Sequence, residues 1–594
     1  MVDRTTKLRW RRRIRRRKRQ AESFGEQAEQ QLEVLVIGRL GRLWHVRRFL
    51  LSWFMLVILL ASLLIVQTRS LNQYFQQPTA IPGGTYTEGI LGNFTTANPL
   101  YAQGPVDSAV ARLVFAGLFK FDDHNQLVGD LADSWAVNDR GNVYTVHLKL
   151  NLKWQDGQPL TSADVVYTYQ TIQKPDAQSP LLSSWQGVTV AAVDPQTVTF
   201  TLPQAISSFP FHMTNGIVPK HILASHSSDQ LRTIAFDTVS PVGAGPFIWK
   251  AIQVVGDTSN SREERIALAP NPTYSGGQPK LGNYIIRAFH SQSAATASFN
   301  RKELDGMSGF DRVPSSILAH TTVRQYSFPL TAETMVFLKT SDGVLADVKV
   351  RQALAAATDN QSIANGLGYP VQVVDAPFLR SQPEYNKSLT QASFNLAQAK
   401  QLLDADGWIM ASNGIRQKDG NPLTFNLVTE DTQEYINVSN RLKKQWQAAG
   451  VNLSVTLQSP SDLQTALAFH TYDALLYGIS IGVDPDVFAY WDSSQADIRS
   501  ANRLNFSEYK SSAADASLEA GRTRSDSILR TIKYRPFLEA WQKDVPAIGL
   551  YQPRSLYFSR QSVAGLTEHT INSPLDRYSN VQNWMIRQAD RDIN

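Results

Sequence analysis

Between Val143 and Tyr169 the chain changes its hydrophobic period once, from two to about 3.6. Tyr144, Val146, Leu148 and Leu150 alternate with Thr145, His147 and Lys149, which predicts a half-buried strand. Asp156-Gly157 supplies a turn, because glycine reaches positive φ without a steric penalty. Pro159 blocks helix. Thr161 is then a good N-cap, with Asp164 three residues on near the positive end of the helix dipole. Val165, Val166 and Tyr169 give the following helix one apolar face.

The pattern recurs later. Leu423–Val428 reads as a strand and Ile436–Ala449 as a helix with Leu442, Trp446 and Ala449 on one face. Gly450 fits a left-handed cap, and Val451, Leu453, Val455 and Leu457 alternate as the next strand. That order predicts a βαβ unit with a right-handed crossover. Asn395 caps a helix carrying Ala399, Leu402 and Leu403, ended by Gly407, and Gly83–Thr87 begins the folded body. Strands and amphipathic helices alternating to the C-terminus predict α/β lobes rather than a sandwich or a bundle.

One segment has no period. Phe49–Val66 is apolar over eighteen residues except Ser52 and Ser62. As a helix it would extend ~27 Å, close to the ~30 Å bilayer core. Residues 1–48 hold 15 Lys and Arg against 5 Asp and Glu, so the formal charge of +6 comes from this tail, and the remainder carries −4. The basic excess, with Arg11–Arg13 and Arg15–Arg19 (including Lys18) in it, lies all before the apolar run. The positive-inside tendency therefore predicts a cytoplasmic tail (1–48), an uncleaved single-pass anchor (49–67), a linker (68–82) and an extracytoplasmic body. Nucleic acid is the lesser reading of the arginine run, and contact with anionic lipid the simpler one. The 594 residues suffice for two or three cored domains, and the absence of cysteine excludes disulfides, thiolate metal sites and a cysteine nucleophile.

The stretch Val143–Leu148 through Trp154-Gln155-Asp156-Gly157-Gln158-Pro159-Leu160-Thr161 to Tyr169 also resembles the signature of the family 5 extracytoplasmic solute-binding proteins of ABC transporters, the oligopeptide-, dipeptide- and nickel-binding types. Leu131–Trp135, Gly243–Phe247, Asn271–Leu281, Asp347–Leu354 and Ala399–Trp408 resemble further segments of that family, in the family's order. The resemblance implies an α/β, two-lobed periplasmic-binding-protein-like fold of class II with an extra inserted domain, here preceded by one transmembrane helix. Expected boundaries are 83–100, 205–325 and 546–594 for lobe I, 101–204 for the inserted domain and 326–545 for lobe II. The implied function is capture of a peptide or peptide-like solute for ABC permease subunits, without catalysis or cofactor, by a monomeric ectodomain. A cell-surface sensor on the same fold is the alternative.

The resemblance also implies where a ligand would lie. Asp484-Pro485-Asp486-Val487-Phe488 resembles a lobe II segment preceded by a strand that pairs with the ligand backbone, so Tyr477 and Ile479 would face the ligand. Ile481 stands where peptide-binding relatives place an aspartate for the ligand's ammonium, and burying that charge unpaired would cost about 3–5 kcal/mol. A small slip of the alignment would let Asp484 take this role. Asn98–Pro105 resembles the opposing loop, bringing Gln103 to the ligand and Pro105, which lacks an N–H, where a donor would help. Gly478-Ile479-Ser480-Ile481-Gly482 matches the G-x-S-x-G nucleophile elbow, leaving a serine hydrolase at Ser480 as a remote alternative. Asp484 and Asp486, with no nearby His or Cys, read as a turn rather than a metal site.

Overall fold

The structure, a computed structural model, describes residues 47–592 apart from 257–261, 311–313, 315–316, 318–322, 498, 501–502 and 525. The expected basic tail lies outside the described residues up to position 46. The chain divides into a small unit, Met1–Thr79 with Gln588–Asn594, and a large one, Ala80–Arg587. The small unit contains helix α1 (Arg47–Phe75). Its segment Leu51–Thr68 has mean hydropathy 2.2 and no buried part, so it is long and apolar enough to cross a membrane.

In the large unit, strand β1 (Thr85–Leu91) is followed by helix α2 (Pro105–Val114). Strands β2 (Ala132–Val137), β3 (Val143–Leu148), β4 (Thr189–Asp194) and β5 (Thr197–Thr201) form a four-stranded sheet in the order β2-β3-β5-β4. Between β3 and β4 lies helix α3 (Ser162–Ile172), started by a Thr161/Asp164 capping box. Strands β6 (Phe247–Val255), β7 (Glu263–Pro270), β8 (Asn283–Phe289), β9 (Gly306–Ser308) and β10 (Arg324–Pro329) rejoin β1. The chain then builds a second sheet from β11 (Ala332–Leu338), β12 (Thr424–Glu430), β13 (Asn452–Gln458), β14 (Ala474–Ser480) and β15 (Ala547–Tyr551), in the order β13-β12-β14-β11-β15. Finally β16 (Arg554–Ser559) returns to the first sheet, whose order is β10-β16-β9-β1-β8-β7-β6.

All seven residues of β11 are buried. Val336 and Leu338 enter one apolar cluster and Met335 and Phe337 another, so the strand is covered on both faces, as its nearly unbroken apolar run requires. Helix α4 (Leu396–Ala405) is capped by the Asn395 side chain, and helix α5 (Gln433–Ala448) leads from β12 to the parallel β13, with Gly450 at φ +92°. Helix α6 (Ser527–Asp544) closes the far side of this half.

Three expectations need correction. Leu150 does not continue the buried face of β3: the strand ends at Leu148, Asn151 takes φ +58°, and Leu150 is 74% exposed. Residues 547–551, expected in lobe I, belong to the second sheet, because the wholly buried run Ala-Ile-Gly-Leu-Tyr pairs antiparallel with β11. Conversely β10 stays in the first sheet to Pro329, which pairs with Arg554. The chain therefore crosses between sheets at 329–332 and 551–554. Within the expected insert, α2 packs on β1, β6 and β8, and one continuous apolar cluster includes residues of both the four- and the seven-stranded sheet.

Candidate functional site

The two crossings form the floor of a cavity of about 590 Å3. The first half of the molecule contributes Gln103, Pro105 and Ser108 around the start of α2, Ser308 at the end of β9 and Phe310 after it, Arg554 to Leu556 of β16, and Ser573 to Leu575 with Arg577. The second half contributes Glu430 at the end of β12 and Thr432, Glu434 and Tyr435 at the start of α5. Thr432 caps α5 by accepting from the Tyr435 N–H. Tyr551 donates to Glu434 at 2.7 Å, and Tyr369 donates to it as well. The two halves also touch at Ser207, whose N–H and hydroxyl both donate to the Arg522 carbonyl at 3.2 and 3.1 Å.

Beneath the cavity lies a buried ionic cluster. Glu88, on β1, is 0% exposed and accepts from Arg577 Nη2 at 2.7 Å, Ser308 at 3.0 Å and Tyr578 at 2.7 Å, with Tyr284 a further donor. The Arg577 guanidinium stacks over Tyr578 at 4.1 Å, and Glu88 with the surrounding tyrosines holds its proton more firmly against the opposing effect of burial. Its Nε is buried and has no acceptor among the described residues.

The sequence-derived ligand residues separate. Gln103 and Pro105 line the 590 Å3 cavity, both exposed. Tyr477 and Ile479 line a second cavity of about 340 Å3 with Ser480, Tyr490 and Phe506. Ile481 lines neither. It is 4% exposed in the apolar core beside Val487 and Trp491, its N–H donating to the Thr331 carbonyl at 3.0 Å. Asp484 also lines neither: Arg530 of α6 donates to it at 2.9 Å and to the fully buried Glu384 at 2.6 Å. Burial pushes the Asp484 carboxyl up to about 6, against the pull of Arg530. Asp486 is taken by Arg522 at 2.8 Å, so both acids of the turn face guanidiniums and not a cation site. Sequence reasoning missed Glu430, Glu434, Arg554 and Arg577. The one local signal was a charged residue at the end or start of a strand, at Glu430 and Arg554.

Among the described residues, the ladder between β14 and β12 stops at Leu475 and Val428, with the Thr429 hydroxyl donating to the Leu476 carbonyl at 3.0 Å, while the other side of β14 pairs with β11 from Ala474 to Ser480. Gly478 lies beyond the end of the β12 ladder, and a Cβ there would come within 3.2 Å of the Tyr435 hydroxyl. Ser480 is not a nucleophile elbow. It ends the strand, the next helix begins only at Phe488, and its carbonyl accepts from Tyr490 at 2.8 Å. His569, the one histidine after it, is bonded to the Thr567 carbonyl and packs on Phe328 of the first sheet.

The loop carrying Gln103 is held by Asp237, which accepts from Asn98 Nδ2 at 3.0 Å and whose second carboxylate oxygen has no partner among the described residues. Burial pushes this carboxyl up to about 6. A folded-state value above the unfolded one gives stability that is complete below about pH 4 and is lost as pH rises through 6. Asp237→Asn should thus be neutral at pH 4 and stabilise at pH 8, by up to about 3 kcal/mol for a two-unit shift. Thermal melts at both pH values check this; an equal difference at the two would refute it.

Comparison with known proteins places this architecture. The oligopeptide-binding protein AppA of Bacillus subtilis is 25% identical over 525 residues, covering 85% of this chain and 92% of that protein. Among solved structures, that same AppA in complex with a nonapeptide matches with a TM-score of 0.68 at 24% identity, over 86% of this chain and all of that one. NikZ from Campylobacter jejuni in complex with Ni(L-His) matches with a TM-score of 0.69 at 23% identity, over 84% and 99%. The fold is that of a class II periplasmic binding protein, and the relatives are binding proteins rather than enzymes. The family model described as bacterial extracellular solute-binding proteins, family 5 (middle), matches residues 126–500, and the chain belongs to that family of ABC-transporter solute-binding proteins.

Proposed function

We propose that this chain captures a peptide or peptide-like solute between its two halves and delivers it to ABC permease subunits, while Phe49–Val66 anchors it in the plasma membrane with the body outside. The observation that carries the reading is the 590 Å3 cavity walled by both halves, within the few hundred to one thousand Å3 typical of small-solute sites. The stretch of β14 beyond the β12 ladder supports an extended ligand, whose main chain can add to a strand edge. In this reading the lobes meet at the crossings 329–332 and 551–554, and closure about them encloses the solute. A solute held there would touch Gln103 and Pro105 first, and Tyr477 and Ile479 if it extends along β14. The anchor keeps the protein beside its permease and so raises its effective concentration there.

Mass spectrometry of small molecules released from the gently purified full chain tests capture: peptides or related solutes at near-stoichiometric yield are expected. Loss of all bound solute, with no thermal shift from peptide mixtures, would reject the reading. For the anchor, the full chain should resist carbonate extraction from membranes and removal of Phe49–Val66 should release it. A mature N-terminus beyond position 67 would reject an uncleaved anchor.

A further inference from the structure

We propose that the acidic turn Asp484-Pro485-Asp486 is the seat of a latch between the two halves, on which Ser207 of the first half docks through the Arg522 carbonyl when the cleft closes. This rests on the solute-binding reading above and adds what holds the closed form together. Arg522 is the last residue of the helix Ser512–Arg522. The last carbonyls of a helix have no intrahelical donor and carry its negative end. Here the acceptor is met from the opposite half: the Ser207 N–H and hydroxyl both donate to it, at 3.2 and 3.1 Å.

Each side of the contact is held in place by its own half. On the second half, Arg522 Nη2 and Nε donate to Asp486 Oδ2 at 2.8 and 3.2 Å, and the guanidinium stacks over Phe488 at 4.1 Å. Arg530 ties the neighbouring Asp484 to Glu384. On the first half, the Tyr144 hydroxyl donates to the Ile206 carbonyl at 2.8 Å and so fixes the residue before Ser207. Side chains of the first half also act on the acids of the second. Burial raises the Asp484 carboxyl, and the Ser207 hydroxyl works in the opposite sense. Burial lowers the imidazole of His212, in the short helix Phe209–His212, and Asp486 opposes it. Tyr144, Ser207 and His212 thus face Asp484, Asp486 and Arg522. The bonds that cross between the halves are polar, so water can replace them on opening.

The same turn is tied to the second cavity and to a crossing between the sheets. Tyr477 and Ile479 of β14 line the cavity of about 340 Å3. Just after them, the Ile481 and Gly482 N–H groups both donate to the Thr331 carbonyl, at 3.0 and 3.1 Å, in the crossing 329–332. Gly482 takes φ +70°, and its carbonyl accepts from Gln382 at 2.9 Å. Asp484 and Asp486 then reach the contact. The segment 477–486 therefore joins cavity, crossing and latch, and a solute that favours the closed form also favours a docked Ser207.

The seat has an excess of acid, because Glu384, Asp484 and Asp486 share Arg522 and Arg530. A negative charge at position 207 would meet that excess and the negative end of the helix in the docked form alone. A positive charge there would be drawn to both.

The chain has no cysteine, so Asp139→Cys, in the turn between β2 and β3, and Lys444→Cys on α5 take a pair of spin labels at exposed positions without background. Pulsed dipolar distances are read on the full chain in detergent, alone and with an equimolar tetrapeptide library. Two populations are expected, the shorter enriched by the library. Ser207→Asp should lower the ratio of short to long in the free chain by about fivefold or more and weaken library binding with it. Ser207→Ala should do so by less, and Ser207→Lys should keep or raise the ratio. A ratio unmoved by Ser207→Asp, or lowered equally by Ser207→Lys, overturns the latch and leaves solute capture standing. A single distance in every sample also overturns the latch. A shift with Ser207→Asp while no form binds the library keeps the latch and overturns the peptide reading.

Discussion

Replacing Arg577 by methionine is expected to cost about 3–5 kcal/mol of stability, the range for a buried pair that loses one partner. Glu88 would remain 0% exposed, with three neutral hydroxyls and no cation. A carboxylate left in that position must either stay charged without compensation or take a proton at neutral pH, and both destabilise the fold. The double variant Glu88→Gln with Arg577→Met should recover most of the loss, because it removes the abandoned charge and keeps the volume. Urea unfolding of the full chain, followed through its first transition, measures both. A single variant within 1 kcal/mol of the parent would mean that the cluster is held by packing alone.

Arg530→Met is the second large effect, and it comes with a pH signature. Arg530 separates two carboxyls, Asp484 at 2.9 Å and the fully buried Glu384 at 2.6 Å. Without it the two acids face each other in a buried site with no cation between them, and the Asp484 carboxyl rises further above its unfolded value. Such groups favour the folded state only while protonated, so the penalty grows with pH. A loss of about 3–5 kcal/mol is expected at pH 8, shrinking as pH falls below the value of about 6 already set for Asp484 by burial. Denaturation at pH 8 and pH 5 checks the sign. A penalty equal at both would show that the guanidinium acts through its packing rather than through its charge.

The parts of this molecule that were legible in the sequence are those decided within a dozen residues. The Thr161/Asp164 cap, the Asn395 cap and the βαβ unit closed by Gly450 all follow from local hydrogen bonding and periodicity, and all are present. Leu150 failed because alternation says nothing about where a strand stops; Asn151, in the left-handed region, ends it. The site was much less legible. Glu430 and Arg554 lie over a hundred residues apart, and nothing local distinguishes a strand-end charge that reaches a cavity from one that reaches solvent. Ile481 stands at a sequence position tied to the ligand by resemblance, yet in the structure its side chain is buried in the core, two residues from the cavity-lining Ile479. That Asp484 is already paired could not be read locally, because its partner, Arg530, lies 46 residues away on α6.

The position of β16 has a consequence for how the chain folds. It lies between β10 and β9 in the first sheet, yet it is the last strand of that sheet to be synthesised, after all five strands of the second sheet. The second sheet, by contrast, is drawn from one uninterrupted stretch, 332–551. A ribosome would therefore release a complete second half while the first still lacked an interior strand, its apolar face and the edges of β9 and β10 unsatisfied. Long-range pairing of this kind is slow, and exposed strand edges are sites of misassociation. Folding of the N-terminal half thus waits on the end of the chain, and closing its sheet is the last long-range pairing to form.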